Sequence, residues 1–221
     1  MASEVDSLTQ EHAPASATGA RAFQAVAIGV STGGVQALQK LLGQLPATFP
    51  LPILIVQHIS ADADGGLAKL LDERCALRVK EADEQDEILP GRVYLAPPNY
   101  HLLVERDGFL SLSADAYVSF ARPSVDVLFE SAAAVFGPGL IGIVLTGANF
   151  DGSRGLNVIK QKGGVAVVQD PADADAPQMP QAAIAATRVD HVVALDGMAT
   201  LLQQLVARPG ATPHHGKARN D

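Results

Sequence analysis

Cysteine is all but missing from this chain of 221 residues: Cys75 stands alone. One thiol cannot close an intramolecular disulfide, so a disulfide-stapled scaffold is excluded and a reducing compartment fits. Basic residues are also scarce, 16 Lys and Arg against 24 Asp and Glu, for a net charge of −8. Phosphate binding needs a basic face, which disfavours nucleic acid as the main partner. No apolar run approaches the roughly 18 residues of a membrane span. A secretory signal is lacking too, since the first residues carry Glu4, Asp6 and Glu11 with no apolar stretch. These absences predict a soluble cytoplasmic protein that is not membrane-inserted. What is present is an ordinary 48% of hydrophobic residues, over a length sufficient for one large domain with a substantial core.

Residues 1–22 are rich in Ala, Ser, Thr and Glu without periodicity and read as a disordered leader. Residues 208–221, with His214 and His215, read as a flexible tail. Between them, residues 23–207 alternate apolar runs with helix-like spacing. Strands are predicted at Ala25–Val30, Pro52–Gln57, Val93–Ala96, Ile141–Leu145, Val165–Gln169 and His191–Leu195. Helices are predicted at Gly34–Gln44, Gly65–Cys75, Ser124–Phe136 (with Ser124 as its cap), Ser153–Lys162, Pro180–Thr187 and Met198–Val206. His101–Val104 and Phe109–Ser113 flank Asp107-Gly108, a hairpin signal. The expected fold is α/β with three layers: a mostly parallel sheet, helices on both faces, and one antiparallel hairpin.

Gly29-Val30-Ser31-Thr32-Gly33-Gly34 ends the first apolar run and opens a helix. The spacing matches G-x-S-x-G, a nucleophile elbow that exposes a serine at a strand-to-helix turn. Small residues suit so sharp a turn, and the helix N-terminus behind it favours developing negative charge. By itself, a serine in such a Gly-rich turn is more often a helix cap. A dinucleotide-binding turn fits poorly: the middle glycine of G-x-G-x-x-G is missing, and Gln57-His58 ends the next strand where an acid is wanted. The Gly-Lys-[Ser/Thr] of a P-loop is missing as well.

Ligands of such folds sit beyond the carboxyl ends of the strands. The first run ends at Ser31, the second at His58, and Ile141–Leu145 leads through Thr146-Gly147-Ala148-Asn149-Phe150 to Asp151. Serine needs a base to take its proton as it attacks, histidine suits that exchange near neutral pH, and a carboxylate fixes the imidazole tautomer. Taken singly, His58 reads as a rim histidine and Asp151 as the cap of the helix at Ser153. Their joint placement with Ser31 points to a triad. Other polar residues are assigned structural roles: His101 and His191 begin strands, Cys75 lies within a helical segment, and Asp170, Asp173 and Asp175 form a solvated loop whose spacing fits no ordinary metal site. No metal and no cofactor is expected.

Five motifs, in order along most of the chain, resemble the catalytic domain of CheB-type protein-glutamate methylesterases. They are Ile28 to Gly34, Gln57-His58, Leu89-Pro90-Gly91 with Tyr94-Leu95-Ala96-Pro97, Arg122-Pro123-Ser124-Val125-Asp126-Val127-Leu128-Phe129, and Leu145-Thr146-Gly147 through Asp151-Gly152. The Ser-Thr-Gly-Gly turn and the Arg-Pro-Ser-Val-Asp run are the most telling. The resemblance implies a parallel α/β fold and hydrolysis of glutamate methyl esters on chemotaxis receptors, often with deamidation of receptor glutamines. It places the catalytic serine, histidine and aspartate on Ser31, His58 and Asp151. It gives Ala148 an oxyanion-stabilising backbone N–H and Thr32 a supporting place, and Arg122 is a candidate for holding the partner's acidic surface. The partner it implies is a methylated chemoreceptor-like protein.

Two departures stand out. Gly-Ala-Asn-Phe-Asp-Gly replaces the usual Gly-Met-Gly-x-Asp-Gly; Asn149, in place of a glycine, is expected to preserve the turn through asparagine's tolerance of left-handed backbone. A polar leader stands where chemotaxis members commonly carry a receiver domain, so phosphodonors are not expected to stimulate the enzyme. The alternatives are a non-catalytic binding module of the same fold and a stand-alone esterase for another protein or a small ester.

Overall fold

The computed structural model describes residues 22–59 and 66–207. The expected leader, apart from Ala22, and the expected tail with His214 and His215 lie outside these residues.

Continuous apolar runs make the central strands. β1 (Ala25–Val30), β2 (Ile53–Gln57), β7 (Leu140–Val144) and β8 (Val165–Gln169) are buried at every position, as strands of a parallel sheet covered on both faces must be. With β3 (Arg78–Glu81), β4 (Arg92–Leu95) and β9 (His191–Val193) they form one seven-stranded sheet ordered β3-β4-β2-β1-β7-β8-β9. Every neighbouring pair in it is parallel. The hairpin β5 (His101–Val104) and β6 (Leu110–Ser113) is a separate antiparallel ribbon.

Alternation along the strands divides the interior into two cores. Val26, Ile28, Val30, Ile53 and Ile55 face one side, packing under α1 (Gly34–Gly43), α2 (Gly66–Asp72) and α6 (Leu195–Ala207). Ala25, Ala27, Leu54 and Val56 face the other. They pack under α3 (Val125–Phe136), α4 (Ser153–Gln161), α5 (Gln178–Ala186) and the hairpin. Both faces are therefore layered with helices, as expected from the sequence.

Strand order reverses about β1: β2 lies on one side and β7 on the other. That reversal opens a crevice beyond the strand ends. Gly29 lets α3 reach it, because a Cβ there would collide with the Val125 side chain. Gly33, at φ +78°, supplies the left-handed turn into α1.

Some expectations shift. β3 was not foreseen: in Arg-Val-Lys-Glu only Val79 is buried, and a short, charged edge strand leaves no apolar signature. α5 begins at Gln178, ahead of Pro180, because the first turn needs no N–H from a proline. α6 begins at Leu195 rather than Met198, its first N–H taken by the Asp173 carboxylate at 2.7 Å.

Candidate active site

The nucleophile candidate and the base candidate are neighbours on the rim. Val30 and Gln57 are register partners in β1 and β2, so Ser31 and His58 each follow one end of that pair. The His58 N–H donates to the Val30 carbonyl at 3.0 Å, and the Ser31 N–H to the Thr146 carbonyl at 2.9 Å beyond β7. Three strand ends are thus stitched together past the sheet. Gln57 ties two of them: its Nε2 donates at 2.9 Å to both the Ser31 and the His58 carbonyls. It is buried, and its Oε1 has no hydrogen-bond partner.

Asp151 reaches the same rim. Its Oδ2 lies 2.8 Å from His58 Nε2 and accepts the Val125 N–H at 2.7 Å. Its Oδ1 accepts Ser124 Oγ at 2.9 Å, the Asp126 N–H at 3.1 Å and the Gly152 N–H at 3.0 Å. The side chain is fully buried. Burial pushes the carboxyl pKa upward, but the hydrogen bonds from His58, Val125 and Asp126 outweigh it and hold the pKa below the usual carboxylate value.

The alternatives of cap and triad member are thereby recast. Asp151 does cap a helix, but that helix is α3, not the α4 it precedes. Asp126, in the first turn of α3, caps α4 in return: its Oδ1 accepts the Gly152 and Gly155 N–H groups at 3.0 and 2.7 Å. The two carboxylates are exchanged between two helix N-termini. Ser124 correspondingly makes no side-chain cap to α3, because its hydroxyl is spent on Asp151.

An ionised Asp151 accepts only, so His58 Nε2 carries a proton and Nδ1 keeps a lone pair. That lone pair belongs to a cleft of about 240 Å³ lined by Ser31, His58, Tyr117, Phe120, Arg122 and Asn149, among others. Among the described residues, neither the Thr32 nor the Ala148 N–H has an acceptor. Thr146 Oγ1 donates to the Thr32 carbonyl at 2.9 Å, pinning that peptide. Ser31, His58 and Asp151 therefore converge on one rim, beside unpaired backbone donors.

The CheB methylesterase family model matches residues 26–202. The chain belongs to the CheB methylesterase family. A putative protein-glutamate methylesterase/protein-glutamine glutaminase of Leptospira interrogans is 51% identical over 183 residues, 83% of this chain and 95% of that protein. A protein-glutamate methylesterase/protein-glutamine glutaminase of Nitratidesulfovibrio vulgaris is 43% identical over 180 residues, 80% of this chain but 49% of that longer protein. The crystal structure of the Thermotoga maritima CheB methylesterase catalytic domain superposes with a TM-score of 0.81 at 34% identity, covering 84% of this chain and all of that one. The seven-stranded sheet with its separate hairpin is thus a CheB catalytic-domain fold.

Within that fold, Arg122 lines the cleft but is heavily engaged. Its Nε and Nη2 donate to Asn99 Oδ1 at 3.1 and 2.7 Å, and Nη1 donates to the Ala114 and Asp115 carbonyls at 2.6 and 2.8 Å. The guanidinium also sits 4.6 Å above the Tyr117 ring. It fixes one wall of the cleft. Asn149 does not adopt the left-handed backbone anticipated for it; the turn's left-handed residue is Gly152, at φ +89°. Asn149 instead bends the loop through its side chain, whose Oδ1 accepts the Asp151 N–H at 3.1 Å.

Several residues outside the triad reading emerge here. Gln57, Thr146 and Gln169 each stand at or just past the end of a buried strand, and Gln169 Oε1 accepts the Thr146 N–H at 2.9 Å. Their signal was present: a lone polar residue closing an apolar run. His101 is buried, its Nδ1 accepting the Ser124 N–H and its Nε2 facing the Ala116 carbonyl, each at 3.1 Å. His191 pairs in β9 with Val167 of β8. Cys75 Sγ donates to the Leu71 carbonyl, and burial followed by the Asp72 charge raises its thiol pKa. Asp170 and Asp173 spend their carboxylates on the Ala172 and Leu195 N–H groups. The Asp175 carboxylate lies against Gly33.

Proposed function

We propose that this chain hydrolyses methyl esters on glutamate side chains of a methylated chemoreceptor-like protein through Ser31, His58 and Asp151. The observation that carries the reading is the 2.8 Å contact between His58 and the buried Asp151 carboxylate, on the rim that also presents Ser31. Ser31 Oγ attacks the ester carbonyl while its proton passes to His58 Nδ1. Asp151 holds the ring and stabilises the imidazolium that forms. The N–H groups of Ala148 and of the Ser31 turn at Thr32 receive the oxyanion. The ester C–O bond then breaks, and methanol departs with the proton from His58. Water, activated by the same nitrogen, attacks the acyl-Ser31 ester, leaving a glutamate carboxylate and a free serine.

A glutamine side chain would follow the same course with ammonia as the leaving group, and both named relatives carry glutaminase in their names. Arg122 shapes the cleft against the partner. The partner meets the protein at a rim of exposed side chains that includes Tyr117, Phe120 and Phe150. No helix among the described residues is long and apolar enough to cross a membrane; a cytoplasmic location is part of the proposal and rests on the family and on the single cysteine. The covalent step can be tested by trapping. A slowly hydrolysed glutamyl ester mixed with the protein and quenched should leave its acyl group on the peptide bearing Ser31, read by mass spectrometry. Turnover with no adduct on that peptide, under conditions where deacylation is slow, contradicts the nucleophile.

A further inference from the structure

The lone pair that must take the Ser31 proton is already occupied. Asn149 Nδ2 lies 3.2 Å from His58 Nδ1. The orientation of that amide is set by the loop, because Oδ1 accepts the Asp151 N–H and so turns Nδ2 toward the imidazole. The orientation of the ring is set in turn by the Asp151 carboxylate at Nε2. An N–H donor therefore meets a lone pair, while Ser31 Oγ has no hydrogen-bond partner among the described residues. Asn149 also borders a second hollow of about 500 Å³, shared with Phe150, Gln178 and Gln181.

We propose that Asn149 is a positioning residue that caps the base in the resting site: its amide holds His58 in the Nε2–H tautomer against Asp151 and keeps Nδ1 from Ser31 until an incoming ester displaces it. The proposal rests on the triad reading above. It assigns Asn149 a chemical role at the imidazole in addition to bending the loop. A net neutral hydrogen bond corresponds to roughly a two- to tenfold bias, so the serine is held below its full reactivity but not silenced.

The test is the rate at which a small fluorophosphonate labels Ser31 in the full-length protein, with a thermal melt on each variant and Ser31→Ala as the blank. Asn149→Ala removes the donor and should label roughly two- to tenfold faster than wild type. Asn149→Asp keeps an oxygen for the Asp151 N–H but sets a carboxylate against Nδ1, which favours a protonated ring, and should label more slowly than wild type. If Asn149 only shapes the loop, the order inverts: Asn149→Asp stays near wild type and Asn149→Ala is the slow one. That order, or equal rates in all three, overturns the proposal while leaving the triad intact. Absence of labelling at Ser31 in wild type and both variants overturns the triad and this proposal together. Ring 15N NMR gives a second readout should a variant fold poorly: the wild-type Nδ1 resonance should move in Asn149→Ala while Nε2 stays protonated. An unmoved Nδ1 counts against the cap.

Discussion

Asp126 and Asp151 occupy almost matching positions and behave oppositely. Each is a buried acid, 2% and 1% exposed, at the start of one helix and bonded to the N-terminus of the other. Burial raises the Asp126 pKa; the Gly155 N–H opposes this, the Asp151 charge adds to it, and the pKa ends above the usual value. Asp151 ends below it, because its donors, including His58, outweigh the same burial. The lesson is about supply of donors. Five donors let a buried carboxylate stay an acceptor, and that state is what orients an imidazole. Asp126 has two short backbone donors, Gly152 and Gly155, with Arg154 Nε only at 3.7 Å, and its pKa stays above the usual value.

The largest effect is expected at Asp151. Asp151→Asn keeps the size but sets an amide N–H against groups that all donate. Turnover should fall by about three to four orders of magnitude, and stability in urea by about 1–3 kcal/mol. Near-normal turnover would make Asp151 a cap and nothing more. Gln57→Leu leaves both acids in place and removes the tie between the Ser31 and His58 carbonyls. A shift of the reacting groups of under an ångström should cost about ten- to a hundredfold in turnover; an unchanged rate would mean that the carboxylate exchange alone sets the rim. Ser124→Ala takes one donor from Asp151 and should lower stability by about 1 kcal/mol with a severalfold loss in turnover. No change in either would discount that donor.

Asp126→Asn should have the smallest effect on rate, within about threefold, or under about 1 kcal/mol in barrier. Its stability effect carries a pH signature. A raised folded pKa means wild type loses stability as pH climbs through it, so the variant should gain on wild type between acid and neutral pH. Asp151 has the opposite sign: its contribution is present above the unfolded value near 3.9 and is lost as pH falls through the depressed folded value. Urea melts from about pH 3 to 7 read both; an Asp126→Asn difference that stays flat across that range would contradict the opposed shifts.

Much of this was legible in the sequence for a physical reason. The runs 25–30, 53–56 and 165–168 are apolar without interruption because both faces of the sheet are covered, and the polar residues ending such runs mark the rim. The placement of Ser31, His58 and Asp151 on that rim followed from three strand ends. The helix exchange did not, because which N-terminus a carboxylate serves depends on the crossing of α3 and α4, a tertiary fact with no local pattern. β3 escaped because Arg78, Lys80 and Glu81 suit an edge. Asn149 sets the turn through its side-chain amide rather than a left-handed backbone, a choice that a single asparagine in a loop does not show in sequence.

Hydrolysis by Ser31, served by His58 and Asp151, is what the proposed function rests on. Its most direct test is methanol release from a methylated receptor fragment by wild type and Ser31→Ala, each with a thermal melt. Wild type should release methanol steadily and Ser31→Ala none above buffer, with the melt nearly unchanged because a rim hydroxyl packs against little. Equal release from the two proteins would contradict it.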